Sequence, residues 1–545
     1  MENRSRATPG SHAPRALSCM QNALIYPLFR TDKLTRWRDR LSSEVGLTAD
    51  PVDQAVLEFY DSFDWRLYAD GKYLEVAGTA DSAELRLRRL ADRKIQALMP
   101  VVLPVPRFPS ALATGALREQ LEALLDMRAL LPLASLRIRR YTLRDEDGEG
   151  KTRARVHLEA ISLVDADGKR RQLLKRLRLQ PLRGYGKAAK RIAGRLEQDY
   201  RLQAAGDELF RQALGAAGKQ PGDYSSKLDI RLQPDQRADA AVRQVLVTLF
   251  DAMQANEAGT IADLDSEFLH DFRVAVRRTR SALGELKHVF PPATLKRFRR
   301  EFAWLGGLTG EVRDLDVYLL KFDDYRAAVP PGLRDGLEPL RGFLQFKQHE
   351  EQSQHLAVQL QGRRYRKLKQ QWQTYLASPL PKRPTARDAG KPIGLVAHHR
   401  SWRMYRRVMK EGSAITPDSP PPELHELRKS CKKLRYLMEF FQSLYPSGEI
   451  RASIKELKQL QDNLGDFQDL DVQIASMRRF AMEMRRRGEY TAAAQQAMDA
   501  LMKTLEQRMH QARGEFETRF GRFASEENRD HFRQLFHPEE EDRDS

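Results

Sequence analysis

The pattern of apolar and polar positions changes once along the chain, near residue 230. Between Leu24 and Ile192, short segments alternate apolar with polar residues and are separated by Asp/Gly-rich turns, as β-strands are. After Asp235, apolar residues recur every three or four positions, which is the period of an amphipathic helix. The pattern therefore predicts an α+β multidomain chain, in which a β-rich N-terminal domain is followed by an all-α region.

The helical region contains a duplicated unit. The spacing His-x-x-Arg-x-x-x-(Arg/Lys)-x-x-Arg occurs at 270–280 and again at 425–435, which is 155 residues later. The same offset relates two further pairs of segments: Phe-Pro at 290–291 to Tyr-Pro at 445–446, and Asp-Leu-Asp-Val at 314–317 to the same four residues at 469–472. Three matches in one register indicate an internal repeat.

Each copy of this signature forms one stripe on a helix. Steps of three, seven and ten residues place all four side chains within an arc of roughly 80°, while the opposite face is apolar. The stripe therefore faces solvent or a ligand. Its members are His270, Arg273, Arg277 and Arg280 in the first copy, and His425, Arg428, Lys432 and Arg435 in the second.

The charge of the stripes favours an anionic ligand over a solvated helix face. Arg273 and Arg277 have no acid at i±4 to relieve their repulsion, and in the second stripe only Arg435 has one, Glu439. The whole chain carries 93 Lys and Arg against 75 Asp and Glu, a net charge of +18. This excess, together with a repelling stripe that occurs twice, predicts a polyanionic partner.

The remaining composition predicts a cytoplasmic protein. The first 18 residues lack a continuous apolar core, and prolines interrupt the longest apolar stretch at 97–112, so neither a signal peptide nor a membrane span is expected. The two cysteines, Cys19 and Cys431, are far apart in sequence, which fits a reducing compartment.

Four segments of the repeat resemble the CHAD family, the conserved-histidine α-helical domain: FLHDFRVAVRRTRSAL (268–283), LGGLTGEVRDLDV (305–317), ELHELRKSCKKLRYL (423–437) and LQDNLGDFQDLDV (460–472). The resemblance covers roughly 235–530. It implies two pseudo-symmetric antiparallel helical bundles whose basic faces line a shared groove that binds inorganic polyphosphate. The implied contacts are His270, Arg273, Arg277, Arg278, Arg280, His425, Arg428, Lys432, Lys433 and Arg435.

The second copy departs from the first at two of these places. Lys432 stands where the first copy has Arg277, and Gln468 where it has Arg313. These changes weaken bidentate phosphate contact and one ion pair, but they keep the positive stripe.

The residues also allow a comparison of ligand classes. Polyphosphate has repeated negative charge and no bases, so a binder needs dense Arg and Lys and little else. Nucleic acid is the alternative, but binders of single strands interleave aromatic stacking platforms with the charges. The first stripe contains no aromatic residue, Tyr436 flanks the second, and we expect Trp402 and Tyr405 to pack against a neighbouring helix. If polyphosphate is the ligand, we expect the protein to associate with polyphosphate granules.

The histidines and aspartates of the repeat have several interpretations. His270 and His425 open their helices, and we expect phosphate contacts there rather than catalysis or a metal, because no nucleophile, base or third ligand repeats with them. The acids at 314, 316, 469 and 471 are expected to be structural, one capping a helix start and the other pairing with a basic neighbour. The alternative is a divalent cation that bridges them to phosphate; no other cofactor is expected.

The N-terminal region resembles a CYTH domain, the triphosphate tunnel fold. The resemblance is carried by LEFYDSFDWRLYADGKYLEV (57–76), ELRLRRL (84–90), RARVHLEA (153–160), QPLRGYGKAAKRI (180–192) and DYSSKLDI (223–230). Working members begin with a strand E-x-E-x-K whose carboxylates hold the metal that activates triphosphate hydrolysis. The first strand-like segment here, 24–30, has no acid, and Glu75 stands where the family usually has a basic residue. We therefore predict a degenerate, non-enzymatic domain; the alternative is a triphosphatase with carboxylates supplied from elsewhere in it.

Basic residues alternate along several of the predicted strands of this region. We expect them on an exposed sheet face, with the lining of a basic tunnel as the alternative. They are Arg86, Arg88, Arg137, Arg139, Arg153, Arg155, Lys175, Arg176 and Arg178.

The predicted organisation has six parts: a flexible N-terminus (1–20), a degenerate CYTH-like domain (21–225), a first helical bundle (230–378), a linker (379–392), a second helical bundle (393–530) and an acidic disordered tail (537–545).

Overall fold

A computed structural model of the chain describes residues 23–79 and 82–537. It contains two compact units, with the boundary between Tyr224 and Ser225. The predicted N-terminal segment 1–20 with Cys19, and residues 538–545 of the predicted acidic tail, lie outside the described residues.

The first unit is built on an antiparallel sheet. The described strands are β1 (Leu24–Leu28), β2 (Thr48–Ala49), β3 (Asp53–Asp61), β4 (Lys72–Gly78), β5 (Ala83–Arg89), β6 (Ile95–Val101), β7 (Leu131–Glu146), β8 (Thr152–Val164) and β9 (Arg170–Pro181). They pair in the order β1-β9-β8-β7-β3-β4-β5-β6, and β2 pairs with β7. The β-rich N-terminal domain is thus confirmed.

Five helices pack on this sheet: α1 (Leu34–Val45), α2 (Arg66–Ala69), α3 (Ala116–Leu125), α4 (Gly186–Gln198) and α5 (Leu209–Ala216). Helix α3 shows why. Its residues Leu117, Leu121 and Leu125 recur at i+4 and are buried with Leu74 and Leu85 of the sheet.

The second unit is all-α, as predicted. Its helices are α6 (Ala238–Ile261), α7 (Ser266–Glu285), α8 (Pro292–Leu308), α9 (Gly310–Leu320), α10 (Phe322–Ala328), α11 (Glu338–Glu350), α12 (Ala357–Gln361), α13 (Arg363–Ala377), α14 (Ile393–Ser413), α15 (Pro421–Phe441), α16 (Ser447–Arg486), α17 (Ala492–Phe523) and α18 (Glu526–Phe536). A π-helical turn, Glu351–Leu356, joins α11 to α12.

The repeat in sequence is a repeat in structure. Helices α14, α15 and α16 each begin 155 residues after α6, α7 and α8. The backbone N–H of Ala238 donates to the carbonyl of Lys391, and the N–H of Ile393 donates to that of Gln236, both at 2.8 Å. Ala238 is equivalent to Ile393, and Gln236 is equivalent to Lys391, so each bond becomes the other when the two repeats are exchanged. This is the property of a two-fold symmetric contact. The predicted pseudo-symmetry is therefore confirmed.

The two repeats share one hydrophobic core. Phe272 and Leu283 of α7 are buried in the same cluster as Leu427 and Leu434 of α15. The apolar faces predicted for both helices therefore point inward, which leaves their basic sides outside the core.

Candidate functional site

Helices α7 and α15 carry the repeated signature. Helix α7 starts behind Asp265, whose side chain accepts from the backbone N–H groups of Glu267 and Phe268. Helix α15 instead starts with proline, which needs no hydrogen bond for its nitrogen at that position. His270 and His425 each stand at the fifth residue of their helix, about one turn inside the start rather than at it.

A cleft of about 1170 Å³ lies beside these two helices. Helix α8 and helix α14 form its other walls. Among the described residues that line it, eleven are Lys or Arg and one, Glu285, is acidic. The cationic lining residues are Arg277, Arg280, Lys287, Arg299, Arg400, Arg403, Arg406, Arg407, Lys410, Lys432 and Lys433.

Three of the eleven cations are held by carboxylates. Lys433 Nζ lies 3.4 Å from Glu285, Arg400 Nη2 lies 3.2 Å from Asp388, and Arg407 Nε lies 2.6 Å from Glu411. For the other eight, the described part of the chain places no carboxylate oxygen within 4.0 Å. The cleft is therefore a concentration of positive charge that the described residues only partly neutralise.

The equivalent residues Arg277 and Lys432 bring the two repeats together in this cleft. Burial, followed by the neighbouring charges of Arg428 and Arg277, lowers the pKa of Lys432 to about 8 against the opposing effect of Asp469. The Nε atom of Arg277 is buried and has no hydrogen-bond acceptor among the described residues. Cations crowded and desolvated in this way are stabilised by an anion.

Other members of the signature lie outside the cleft lining. Arg273 donates from Nη1 to the hydroxyl of Thr309 at 3.2 Å, and burial followed by the charge of Arg277 lowers its pKa to about 10. Arg428 forms an ion pair with Asp469 at 2.9 Å. His425 of α15 likewise contacts α16, where its Nδ1 donates to Oε1 of Gln468.

Two equivalent basic residues tie the repeats together. Arg278 of α7 pairs with Glu439 of α15 at 2.8 Å, and Lys433 of α15 pairs with Glu285 of α7. Glu439 also holds Arg435 at 3.3 Å, as expected from their i,i+4 spacing. Glu439 and Glu285 lie on the neighbouring helix of Arg278 and Lys433, where the spacing of charges along one helix does not reveal them.

The expectation that an aspartate caps a helix start is wrong. Asp314 and Asp316 lie inside α9, and Asp469 and Asp471 lie inside the 40-residue helix α16. The expected pairing with a basic neighbour does occur at Asp469, which binds Arg428. Asp316 is buried and accepts from Nε2 of Gln348 at 3.1 Å, and burial raises its pKa to about 7.

The family of the helical unit can now be stated. Residues 244–478 match the family model of the CHAD domain, and both copies of the signature fall inside that match. This region is a CHAD domain. No curated protein matches the chain significantly.

The chain is also similar to several solved structures. The chain is 26% identical to the CHAD domain of the plant Ricinus communis, over 54% of this chain and 97% of that one, with a TM-score of 0.44. For PptA from Streptomyces chartreusis the values are 14% identity, 52% and 99% coverage, and a TM-score of 0.40. For a candidate adenylate cyclase from Bacillus halodurans the identity is 9%, the match covers 35% of this chain and 96% of that one, and the TM-score is 0.26.

Two walls of the cleft were missed by the sequence analysis: helix α14 and helix α8. The signal on α14 was a basic residue at 400, 403, 406 and 410, a three-to-four-residue period that resembles the CHAD stripes. Tyr405 of this helix packs as expected, stacking on Phe532 at 4.4 Å between ring centroids. Trp402 stacks on Tyr405 but also lines the cleft.

A second cleft, of about 720 Å³, lies in the N-terminal unit, outside the CHAD domain. Arg86, Arg88, Arg176 and Arg178 line it, so the expectation of an exposed sheet face is wrong for these four. The lining also includes two buried acids and is therefore mixed in charge. Arg88 binds Glu75, and Arg176 binds Glu159, both at 2.6 Å.

The other basic strand residues are spread over the sheet. Arg153 pairs with buried Asp145 at 3.0 Å, and Arg139 donates to the hydroxyl of Tyr141. Strand β1 carries no acid. The described residues contain no group of three His, Cys, Asp or Glu side chains that could hold a metal ion. Within the same ranges, no helix has the length and apolar character needed to cross a membrane.

Proposed function

We propose that the CHAD domain binds inorganic polyphosphate in the cleft between α7, α8, α14 and α15. The observation that carries this proposal is the set of eight lining cations that have no carboxylate partner among the described residues. The CHAD family is linked to polyphosphate binding, which agrees with this charge.

The chemistry of the cleft suits a repeating anion. Like charges held close together raise the free energy of the empty site, and a ligand that spreads negative charge among them relieves this cost. Arginine forks match phosphate oxygens through paired hydrogen bonds, while Lys432 and Lys410 act as point charges. Affinity should fall steeply with salt, because bound counterions are exchanged for protein cations.

The aromatic lining favours polyphosphate over nucleic acid. Tyr436 is buried and stacks on Phe440, and Trp402 stacks on Tyr405 with an interplanar angle of 23°. Packed rings of this kind offer little free face to unpaired bases, whereas binders of single strands use exposed platforms.

We further propose that the N-terminal unit does not hydrolyse triphosphate. A metal that activates a phosphoryl group needs free carboxylates, and the two buried ones in the N-terminal cleft are bound to arginines. The proposal is supported by the acid-free strand β1.

A competition titration tests the proposed ligand. The full chain is titrated with labelled long-chain polyphosphate at two salt concentrations, and then with single-stranded RNA of equal phosphate content as the competitor. We expect polyphosphate to bind and RNA to compete poorly. Displacement by RNA at equal phosphate concentration would support the nucleic-acid alternative instead.

A further inference from the structure

Helix α14 differs in charge from α6, its counterpart in the other repeat of the CHAD domain. Its residues Arg403, Arg406 and Lys410 line the cleft and are exposed. The equivalent positions of α6, 155 residues earlier, are occupied by Thr248, Asp251 and Ala255. A basic row on one helix therefore corresponds to a neutral and acidic row on its partner.

The equivalence of α6 and α14 rests on contacts as well as numbering. The two helices begin 155 residues apart and are joined at their starts by reciprocal backbone bonds. A second reciprocal pair runs from the N–H of Asp239 to the carbonyl of Ala389 at 3.0 Å, and from the N–H of Gly394 to that of Pro234 at 2.9 Å. The two helices thus occupy equivalent places in the two repeats.

The geometry of the row sets the size of anion that can use it. Steps of three and seven residues keep the three side chains within an arc of roughly 60°, and seven residues of helix rise by about 10 Å. No carboxylate oxygen of the described residues lies within 4.0 Å of any of the three cations. Arg400 and Arg407 of the same helix are instead held by Asp388 and Glu411.

A second set of cations lines the same cleft. It consists of Arg277 and Arg280 on α7 and Lys432 on α15. A short anion can satisfy these three without reaching α14. A longer chain can in addition follow the row on α14, which extends by about 10 Å along that helix.

We propose that Arg403, Arg406 and Lys410 form a one-sided extension of the anion site that makes affinity depend on the length of the phosphate chain. This inference rests on the proposed function, because it assigns a part of the same cleft. It places the bound chain along α14 and gives α6, which contributes none of the described residues that line the cleft, no share in binding.

The test gives α14 the residues of α6. The variant Arg403→Thr, Arg406→Asp, Lys410→Ala is made in the full chain. The matched control makes the same three replacements on α13, at Arg363, Arg366 and Lys367, which are exposed and outside the cleft lining. Both variants lose the same charge, so a difference in their affinities shows the effect of where the replaced residues lie.

Two probes of different length are titrated into wild type and both variants at one salt concentration. For polyphosphate of about a hundred units, we expect the α14 variant to bind at least roughly tenfold more weakly than the α13 control. For tripolyphosphate, we expect the two variants to differ by less than about twofold. Thermal melting confirms that each is folded, and if the triple variant is not, the single change Arg406→Asp is compared with Arg366→Asp.

The outcomes separate this inference from the proposed function. Equal affinity of the α14 variant and the control for the long chain would overturn the inference while leaving the cleft as the site. An equal loss for long and short anions would overturn the length dependence. If wild type binds neither probe, the proposed function itself is wrong.

Discussion

Arg277 and Lys432 occupy the same position in the two repeats, 155 residues apart, and both line a single cleft. Each repeat therefore contributes to a site that neither could form alone. The proximity also has an electrostatic cost, because the charge of Arg277 helps to lower the pKa of Lys432.

This cost predicts that anion binding depends on pH. The charged groups acting on Lys432 are Arg428 and Arg435 of its own helix, Arg277 of α7 and Asp469 of α16. In the free protein its pKa is about 8, and a bound polyanion favours the protonated form, so binding takes up a proton near that pH. We expect affinity for polyphosphate to fall by up to roughly tenfold between pH 7 and pH 9.

Isothermal titration calorimetry in two buffers of different ionisation enthalpy measures the proton uptake directly. The variant Lys432→Arg keeps its charge through this range and should lose the pH dependence. An affinity that is constant from pH 7 to pH 9 in wild type would contradict protonation of Lys432 on binding.

The acid of the cleft lining should oppose binding. Glu285 holds Lys433, so the change Glu285→Gln releases that lysine and removes one negative charge from the lining. We expect polyphosphate to bind several-fold more tightly, while the free energy of unfolding falls by about 0.5 kcal/mol because one partly exposed ion pair is lost. The control Glu506→Gln breaks an exposed pair with Arg478 elsewhere, and a gain of the same size there would mean that only net charge matters.

Asp316 should affect stability rather than binding. Its folded-state pKa is raised to about 7, so the native state loses stability as pH rises from about 4 to 7, where the unfolded chain has already released this proton. We expect Asp316→Asn to raise the melting temperature relative to wild type at pH 8 but not at pH 4, and to leave polyphosphate affinity unchanged. If the substitution instead abolishes a magnesium-dependent part of binding, the aspartate bridges a cation to phosphate.

The N-terminal unit should be inactive towards triphosphates. With magnesium or manganese, we expect the purified chain to release no phosphate from tripolyphosphate or ATP above background, because Glu75 and Glu159 are engaged by arginines. A malachite-green assay measures the release. Metal-dependent turnover that disappears in Glu75→Gln or Glu159→Gln would establish the triphosphatase alternative.

The repeat and the helical character of the second unit could be predicted because they depend on local periodicity and on one constant offset. The interior of α16 could not. The expected helix start at the aspartates would follow Gly465, and glycine inside a helix costs about 1 kcal/mol. Burial of Leu464 and Phe467 on the same helix outweighs that cost, so the helix continues and no aspartate caps it.

Only part of the candidate site could be predicted, again because part of it depends on tertiary packing. Helical spacing shows which side chains share a face, but the walls opposite that face come from tertiary packing. Arg277 and Lys432 line the cleft as the stripe suggested, whereas Arg428 is drawn to Asp469 on another helix. The alternating arginines of the sheet showed a similar limit, since spacing does not reveal which face of a sheet is enclosed.

The most direct test reverses charge at the two equivalent residues of the repeats that line the cleft. Full-length Arg277→Glu/Lys432→Glu is compared with wild type and with Arg363→Glu/Lys367→Glu, a control with the same charge change on exposed residues of α13. Affinity for long-chain polyphosphate is measured by titration, after thermal melting has shown that each protein is folded. We predict that the cleft variant binds about 100-fold more weakly than the control, since it places like charge against the ligand at the centre of the site. Equal affinities of the folded cleft variant and the control would contradict the account.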